Sequence, residues 1–423
     1  MDTTIEVPRQ DRDTLRRLAA RKVEIASDPI NEERRAAWLA LDSGSHSRVM
    51  VLAEHGGIRD ERKPFSAGSL ECVGEWARGI EVALRTEIFL FEELRDDHVI
   101  EPVMNVCWRV KTSNFGVEAV VHQGGDDTHM GSRSWDPPIK DLDADFDKLH
   151  PRAFAVDRDA TLAEQQRLES VFTGILPIRI RGGHYWTMGL TIQAIDLIGL
   201  EALMLSMYDN PDGLRRLMKF LRDDNLAFSR WIEEQGLYSL NNENDTIGSG
   251  SMGYTADLPQ GGAQQMSSRV RETDLWVLIE SQETVGVGPE LFEEFVFPFQ
   301  LDMAGHFGKT YYGCCEPVHN RWHVIRKLPN LARVSVSPWA DQKFLAEAFG
   351  RDYVFSRKPH PTLISTERFN EDAIRADLRN TLEVAHANRV EIIMKDVHTL
   401  NNEPERLARW VQIARDEIDK HEG

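Results

Sequence analysis

Two thiols, a carboxyl and an imidazole stand almost side by side in the stretch Tyr311-Tyr312-Gly313-Cys314-Cys315-Glu316-Pro317-Val318-His319. Thiolate is a soft, strong ligand for Zn(II), and cysteine, histidine and carboxylate around one open position make a catalytic type of zinc site. The plain alternative is that Cys314 and Cys315 are small buried hydrophobes. Adjacent cysteines seldom join, because the bridge strains the peptide between them, so thiols or metal ligands are expected. Only Cys72 and Cys107 are added elsewhere, and four cysteines in a chain of this length are no disulfide framework.

Other polar groups sit at comparable places. Glu280-Ser281-Gln282-Glu283 offers a general acid or base in Glu280 or Glu283, or else a cap for the helix that Pro289 opens. Asn241, Asn242, Asn244 and Asp245 are suited to hydrogen-bonding a polar substrate, or to closing a turn. Trp339 ends a strand; Lys358 with His360, and Lys395 with Asp396, can hold an anion or form structural ion pairs. Besides Cys314 and Cys315, the expected metal donors are Asp396 and His398, with Glu280, Glu283 or Glu316 as carboxylates able to complete the shell. His319 and His323 have the i, i+4 spacing of a zinc pair but read as surface or packing histidines.

These residues need rigid elements to place them. Lys309 to Gly313 reads as a strand, and Pro317 with Val318, Trp322, Ile325 and Leu328 as an amphipathic helix. Strand alternation predicts that Cys314 and Cys315 point to opposite faces, so that only one reaches the site. From Asp274 onward five strand-then-helix units follow, with strands at 275–279, 309–313, 333–336, 352–355 and 390–394, each ending in polar residues. Such units imply parallel strands with right-handed crossovers. With three or so earlier strands, among them candidates at 48–53, 117–121 and 176–180, the count approaches that of a (β/α)8 TIM barrel, whose strand ends share one mouth. The open doubly wound alternative lacks a glycine-rich loop after the first strand. The predicted organisation is an N-terminal helical extension over 1–45 and a barrel over 46–423.

Helices are expected at 76–95, at 191–208 and from Asn210-Pro211 to Gly236, and Asn402 with Glu405 forms a capping-box pattern ahead of a last helix striped with Leu407, Trp410, Val411, Ala414 and Ile418. Gln123 to Lys148, with Gly124-Gly125-Asp126-Asp127, His129, Trp135 and Pro137-Pro138, reads as a lid insert or a mobile surface loop.

Composition narrows the partners. A hydrophobic share of 41% with 28% charged residues suits a globular chain of 423 residues, and the net charge of -19 argues against nucleic acid and anionic membrane as partners. Neither a signal-peptide pattern nor an apolar run of transmembrane length occurs, which makes a cytoplasmic enzyme the expectation.

The order of Trp38, Val49-Met50-Val51, Asp245, Gly248-Ser249-Gly250, Glu280-Ser281-Gln282-Glu283, Tyr312-Gly313-Cys314-Cys315-Glu316-Pro317 and Lys395-Asp396-Val397-His398 resembles the uroporphyrinogen decarboxylase superfamily. Within it, the likeness is to the branch of the methylcobamide:coenzyme M methyltransferases, and it runs from about residue 30 onward. The resemblance implies a (β/α)8 barrel, a homodimer, and zinc that activates a thiol acceptor for methyl transfer. In that branch the zinc is held by a His-x-Cys strand end and a late cysteine. Here Tyr312-Gly313-Cys314 occupies the first place, with Cys315 added, and Asp396 and His398 lie in the region of the second. The RQAGR motif by which porphyrinogen decarboxylases hold their substrate's carboxylates is absent.

The function expected is therefore zinc-dependent transfer of a methyl group between a corrinoid carrier, or a methylated small molecule, and a thiol-type acceptor. Tyr312 and the 241–245 stretch would orient substrate. No Asp-x-His-x-x-Gly pattern is present, so a corrinoid would sit on a partner protein. The rival enzyme class is a metal-free decarboxylase or lyase acting on a small carboxylated substrate. A binding protein that holds a corrinoid or another small ligand without turnover is the third possibility.

Overall fold

The structure is a computed structural model, and it describes residues 7–45, 48–62, 67–123, 133–182, 187–262 and 269–422. His129 and most of the expected lid tip lie outside the described residues. The chain divides into two compact units. One comprises residues up to 109 with 157–182 and 357–423; the other comprises 110–156 and 183–356.

In the first unit the charged N-terminus is helical, as expected, in the segments Arg9–Ala26 and Ile30–Ser43. Leu15, Leu18 and Ala19 on the first of these helices join Ala77, Leu84, Leu168, Val171 and Phe172 in one buried cluster. Asp11 is buried on the same helix, where its carboxylate accepts the backbone N–H groups of Val73 and Gly74, both at 2.9 Å. Gly44, at φ 75°, ends the second helix in the left-handed conformation that glycine adopts without strain. The strand Met50–Ala53 pairs in parallel with Arg389–Met394. The final helix, Glu405–Glu422, buries the Leu407, Trp410, Val411, Ala414 and Ile418 stripe as read from the sequence. Each large apolar side chain so buried contributes ~1.5–3 kcal/mol.

The capping box expected ahead of that helix is not formed. Asn402 lies at φ 59° and its side-chain oxygen accepts the Arg62 backbone N–H at 3.1 Å, so it is turned away from the helix start. The strand Phe154–Asp157 and the helix Arg158–Phe172 were not foreseen. The helix has few apolar residues and so a weak period.

In the second unit the strands Trp276–Ile279, Lys309–Tyr312 and Leu331–Val336 lie side by side in parallel order, joined through helices that include Pro289–Phe295 and Phe297–Gly305. Trp276, Leu278 and Tyr311 pack with Ile247 and Leu258 into a core. Arg333 is wholly buried there, donating to Ser251 Oγ and to the Met252 and Tyr254 carbonyls. The apolar stretch expected as one helix is two, Thr191–Ile198 and Leu200–Asp209, because Gly199 interrupts it at φ 85°. The long helix Pro211–Glu234 follows, its Asn210 cap accepting the Gly213 N–H at 2.9 Å. The strand expected at 117–121 is Val120–Gln123, which pairs antiparallel with Arg133–Asp136 of the insert and so is no parallel barrel strand.

The strand pairings thus show a mixed α/β chain with parallel strands and many helices. Among the described residues they do not close into a ring of eight. Among the same residues no single helix is long and apolar enough to cross a membrane.

Candidate functional site

The densest reactive cluster belongs to the second unit and forms where two parallel strands end. The strand carrying the thiols stops at Tyr312, and Gly313 at φ 94° turns the chain through a region that side-chain-bearing residues avoid. Extended alternation therefore no longer governs Cys314 and Cys315. Their sulfurs lie 3.6 Å apart on the same side, which corrects the expectation that they face opposite ways. Cys314 is buried and Cys315 half-buried.

Glu316 locks this turn to its neighbour. One carboxyl oxygen accepts the Ser281 N–H at 3.0 Å and the other the Cys314 N–H at 2.9 Å. Tyr312 and Ser281 share a hydroxyl hydrogen bond of 2.8 Å. Of the expected site residues, Glu280, Tyr312 and Glu316 are buried, and the half-buried Glu283 accepts the Thr191 hydroxyl at 2.7 Å. The structure therefore brings all four together with both cysteines.

Glu280 is strongly perturbed. Burial, reinforced by Glu316 and Glu283, pushes its carboxyl up to about 9. One oxygen accepts the Gln282 N–H at 3.0 Å, whereas Oε1 is buried with no partner. Burial also raises Glu316, against the pull of its backbone N–H bonds, and holds the Tyr312 phenol well above its usual range. Arg321 is nearby, but its guanidinium donates to the Thr284 hydroxyl and carbonyl and to the Val287 carbonyl.

Glycine is required at one further position. A Cβ at Gly189 would lie 1.9 Å from the Glu280 carbonyl oxygen, and Gln300 donates to the carbonyls of both Gly189 and Glu280 at 2.9 Å. Gly189→Ala is expected to cost about 1–3 kcal/mol by overpacking. Urea denaturation would measure the loss, and an unchanged midpoint would contradict so close a contact.

The other expected site residues have different surroundings. Asn241 exchanges both side-chain hydrogen bonds with the backbone of Trp276, and Asn242 donates to the Leu258 carbonyl, so these amides hold the scaffold. Asn244 and Asp245 lie in the turn that follows, and Trp339 is 64% exposed. The remainder belong to the first unit. Lys358 and Lys395 are buried, and both oppose the burial that raises Glu54 at the end of the Met50–Ala53 strand. Asp396 is half exposed, 3.7 Å from Lys395, and His398 is exposed with Nδ1 3.4 Å from the Gly57 carbonyl. His323 is exposed, and His319 accepts the Asp341 N–H at 3.2 Å, in keeping with the surface or packing reading.

Ser281, Thr191, Gln300 and Ser249 were missed. Ser249 is buried at φ 45°, with its hydroxyl 3.9 Å from the Cys314 sulfur. The Gly-Ser-Gly setting was the available signal for it, since flanking glycines mark a tight turn. Thr191 and Gln300 reach the site only through tertiary packing.

Among the described residues no three His, Cys, Asp or Glu side chains already converge as a metal shell. Cys314, Cys315 and Glu280 offer two soft thiols and a carboxyl oxygen without a hydrogen-bond partner, donor types that zinc accepts.

No protein-family profile matches the chain, and no curated protein matches it. Among solved structures, a methyltransferase from Methanosarcina mazei superposes with a TM-score of 0.48 at 13% identity, over 91% of this chain and 98% of that one.

Proposed function

We propose that the chain is a zinc-dependent methyltransferase of the (β/α)8 class, acting between a methylated corrinoid on a partner protein, or a methylated small molecule, and a thiol-type acceptor. The observation that carries this reading is the crowding of two thiols and the buried carboxyls of Glu280 and Glu316, with the Glu280 oxygen unpartnered and no ion pair to Glu280, Glu283 or Glu316 among the described residues. Arg321 acts on Glu316 at longer range, while burial and acidic neighbours dominate at Glu280, and a buried acid without an ion pair holds its proton or binds a cation. Cys314, Cys315 and Glu280 would hold the metal. Zinc, when bound, supplies a Lewis acid that lowers the acceptor thiol's pKa. The chain's own residues do the rest. Glu316 fixes the turn that carries the thiols, Tyr312 with Ser281 orients the bound substrate, and Glu283 is steadied by Thr191. The homodimer implied by the resemblance is part of the same proposal.

A second reading has its own support. A carboxyl held protonated up to about 9 can give its proton to a carbanion, as a metal-free decarboxylase or lyase would require of Glu280. Incubation with a chelator followed by zinc repletion separates the two. Transfer from methylcobalamin to a simple thiol should disappear on chelation and return with zinc. Turnover that survives chelation would leave the metal-free reading.

A further inference from the structure

The spacing of the two thiols suits a second kind of ligand. Their sulfurs lie 3.6 Å apart. To join directly they would have to close to about 2.05 Å, and a bridge between neighbouring residues strains the peptide that links them. A single atom bonded to both needs no such movement. Placed about 2.3 Å from each sulfur, the length of a metal–thiolate bond, it spans the 3.6 Å gap with an angle of about 100°. The turn that sets this gap is held by its backbone. Gly313 stands at φ 94°, Glu316 accepts the Cys314 N–H at 2.9 Å, and Ser335 donates to the Cys314 carbonyl at 2.7 Å.

Only two donors are assembled in advance, since among the described residues no three His, Cys, Asp or Glu side chains converge as a metal shell. Zinc must therefore draw in further ligands. An atom that needs two soft thiolates and brings its remaining substituent with it finds its whole set in place. Trivalent arsenic carrying one organic group is such an atom, pyramidal and satisfied by two sulfurs and a carbon. The other cysteines offer one sulfur each: Cys72 is buried against the Asp11 carbonyl at 3.9 Å, and the exposed Cys107 donates to the Arg181 carbonyl at 3.3 Å.

We infer that Cys314 and Cys315 form a chelating site for monosubstituted trivalent arsenicals. The half-buried Cys315 takes the first bond and the buried Cys314 closes the ring. Two S–H bonds break and two As–S bonds form, while the oxygen on arsenic leaves as water with both protons. Arsenic stays trivalent and nothing is oxidised. The inference uses the thiols of the site above but rests neither on methyl transfer nor on zinc.

The test is phenylarsine oxide, added at one equivalent to the full chain after metal is removed with a chelator and the thiols are reduced with a phosphine. Intact-mass spectrometry is expected to show one phenylarsenic group per chain, retained in millimolar glutathione and released by dimercaptopropanol. Cys314→Ser and Cys315→Ser should each hold it about 10²–10⁴-fold more weakly, because the second bond is then no longer intramolecular, and glutathione should strip both. Cys107→Ser should match the wild type. Far-UV circular dichroism would establish that each variant is folded, and the glutathione step on the wild type reads chelation without any variant. No adduct at one equivalent, an adduct that glutathione removes from the wild type, or one that survives glutathione in either folded serine variant overturns the proposal. Zinc uptake measured alongside separates this site from the methyltransferase reading. Capture of the arsenical by a chain that takes up no zinc retires that reading and leaves this one, and zinc uptake without capture does the reverse.

Discussion

Cys314→Ser is expected to bind zinc on the order of 100-fold more weakly and to lose methyl transfer with it, because a serine hydroxyl cannot supply thiolate charge at neutral pH. The substitution is nearly isosteric. Ser249 approaches only to 3.9 Å, and the hydrogen bonds that hold the turn run to the Cys314 backbone, from its N–H to Glu316 and to its carbonyl from Ser335. Fold and turn should therefore survive while the ligand goes. Cys315→Ser should behave alike, since its sulfur lies beside the first. Metal content by mass spectrometry, read beside turnover for both variants, is the measurement. If both keep full zinc and full activity, the thiols are packing residues and the methyltransferase reading fails.

Glu280→Gln should make the protein more resistant to rising pH, and the sign follows from where the proton is held. The folded carboxyl keeps its proton up to about 9, whereas the unfolded chain releases it near the ordinary value of 4.5. Across that window the folded state binds more protons than the unfolded one, so the stability present below 4.5 is eroded as pH climbs towards 9. Glutamine has no proton to lose. The difference between wild type and variant should thus grow with pH to something on the order of 2 kcal/mol, short of the full shift because a buried site relaxes and admits water. Thermal melts from pH 5 to pH 9 would reveal it as a steeper decline for the wild type. Zinc reverses the comparison. A bound cation takes the place of the proton, so added zinc should raise the wild-type midpoint most at alkaline pH and raise that of the variant far less. Parallel pH profiles with and without zinc would remove Glu280 from the reactive cluster.

Which parts were legible in the sequence follows from how local their causes are. The late strands and the final helix were readable because period and punctuation agree: short apolar runs end in polar clusters, and the Trp410 stripe keeps helical spacing. Glu280, Tyr312, Glu316 and the thiols were placed correctly at strand ends for the same reason. Their mutual orientation was not readable. It depends on the strand stopping at Tyr312 and on a positive φ at Gly313, which decouple the thiols from strand alternation. Asn241 and Asn242 misled because an amide that completes a backbone ladder looks in sequence like one that awaits a ligand. Asn402 likewise carries the right residue type for a cap, but its side chain is engaged by Arg62. The pairing of Val120–Gln123 with Arg133–Asp136 joins the start of the insert to residues that no short-range pattern connects with it.

The double grip of Glu316 has a consequence for engineering. Its two oxygens each hold the backbone of a different strand end, Ser281 on one side and Cys314 on the other. The two loops therefore cannot be exchanged one at a time. A chimera that imports a new loop after residue 279 while keeping the native thiol turn leaves one carboxylate oxygen facing a backbone built for another partner. Grafting both loops together, with this glutamate, is the smallest transplant that carries the arrangement intact.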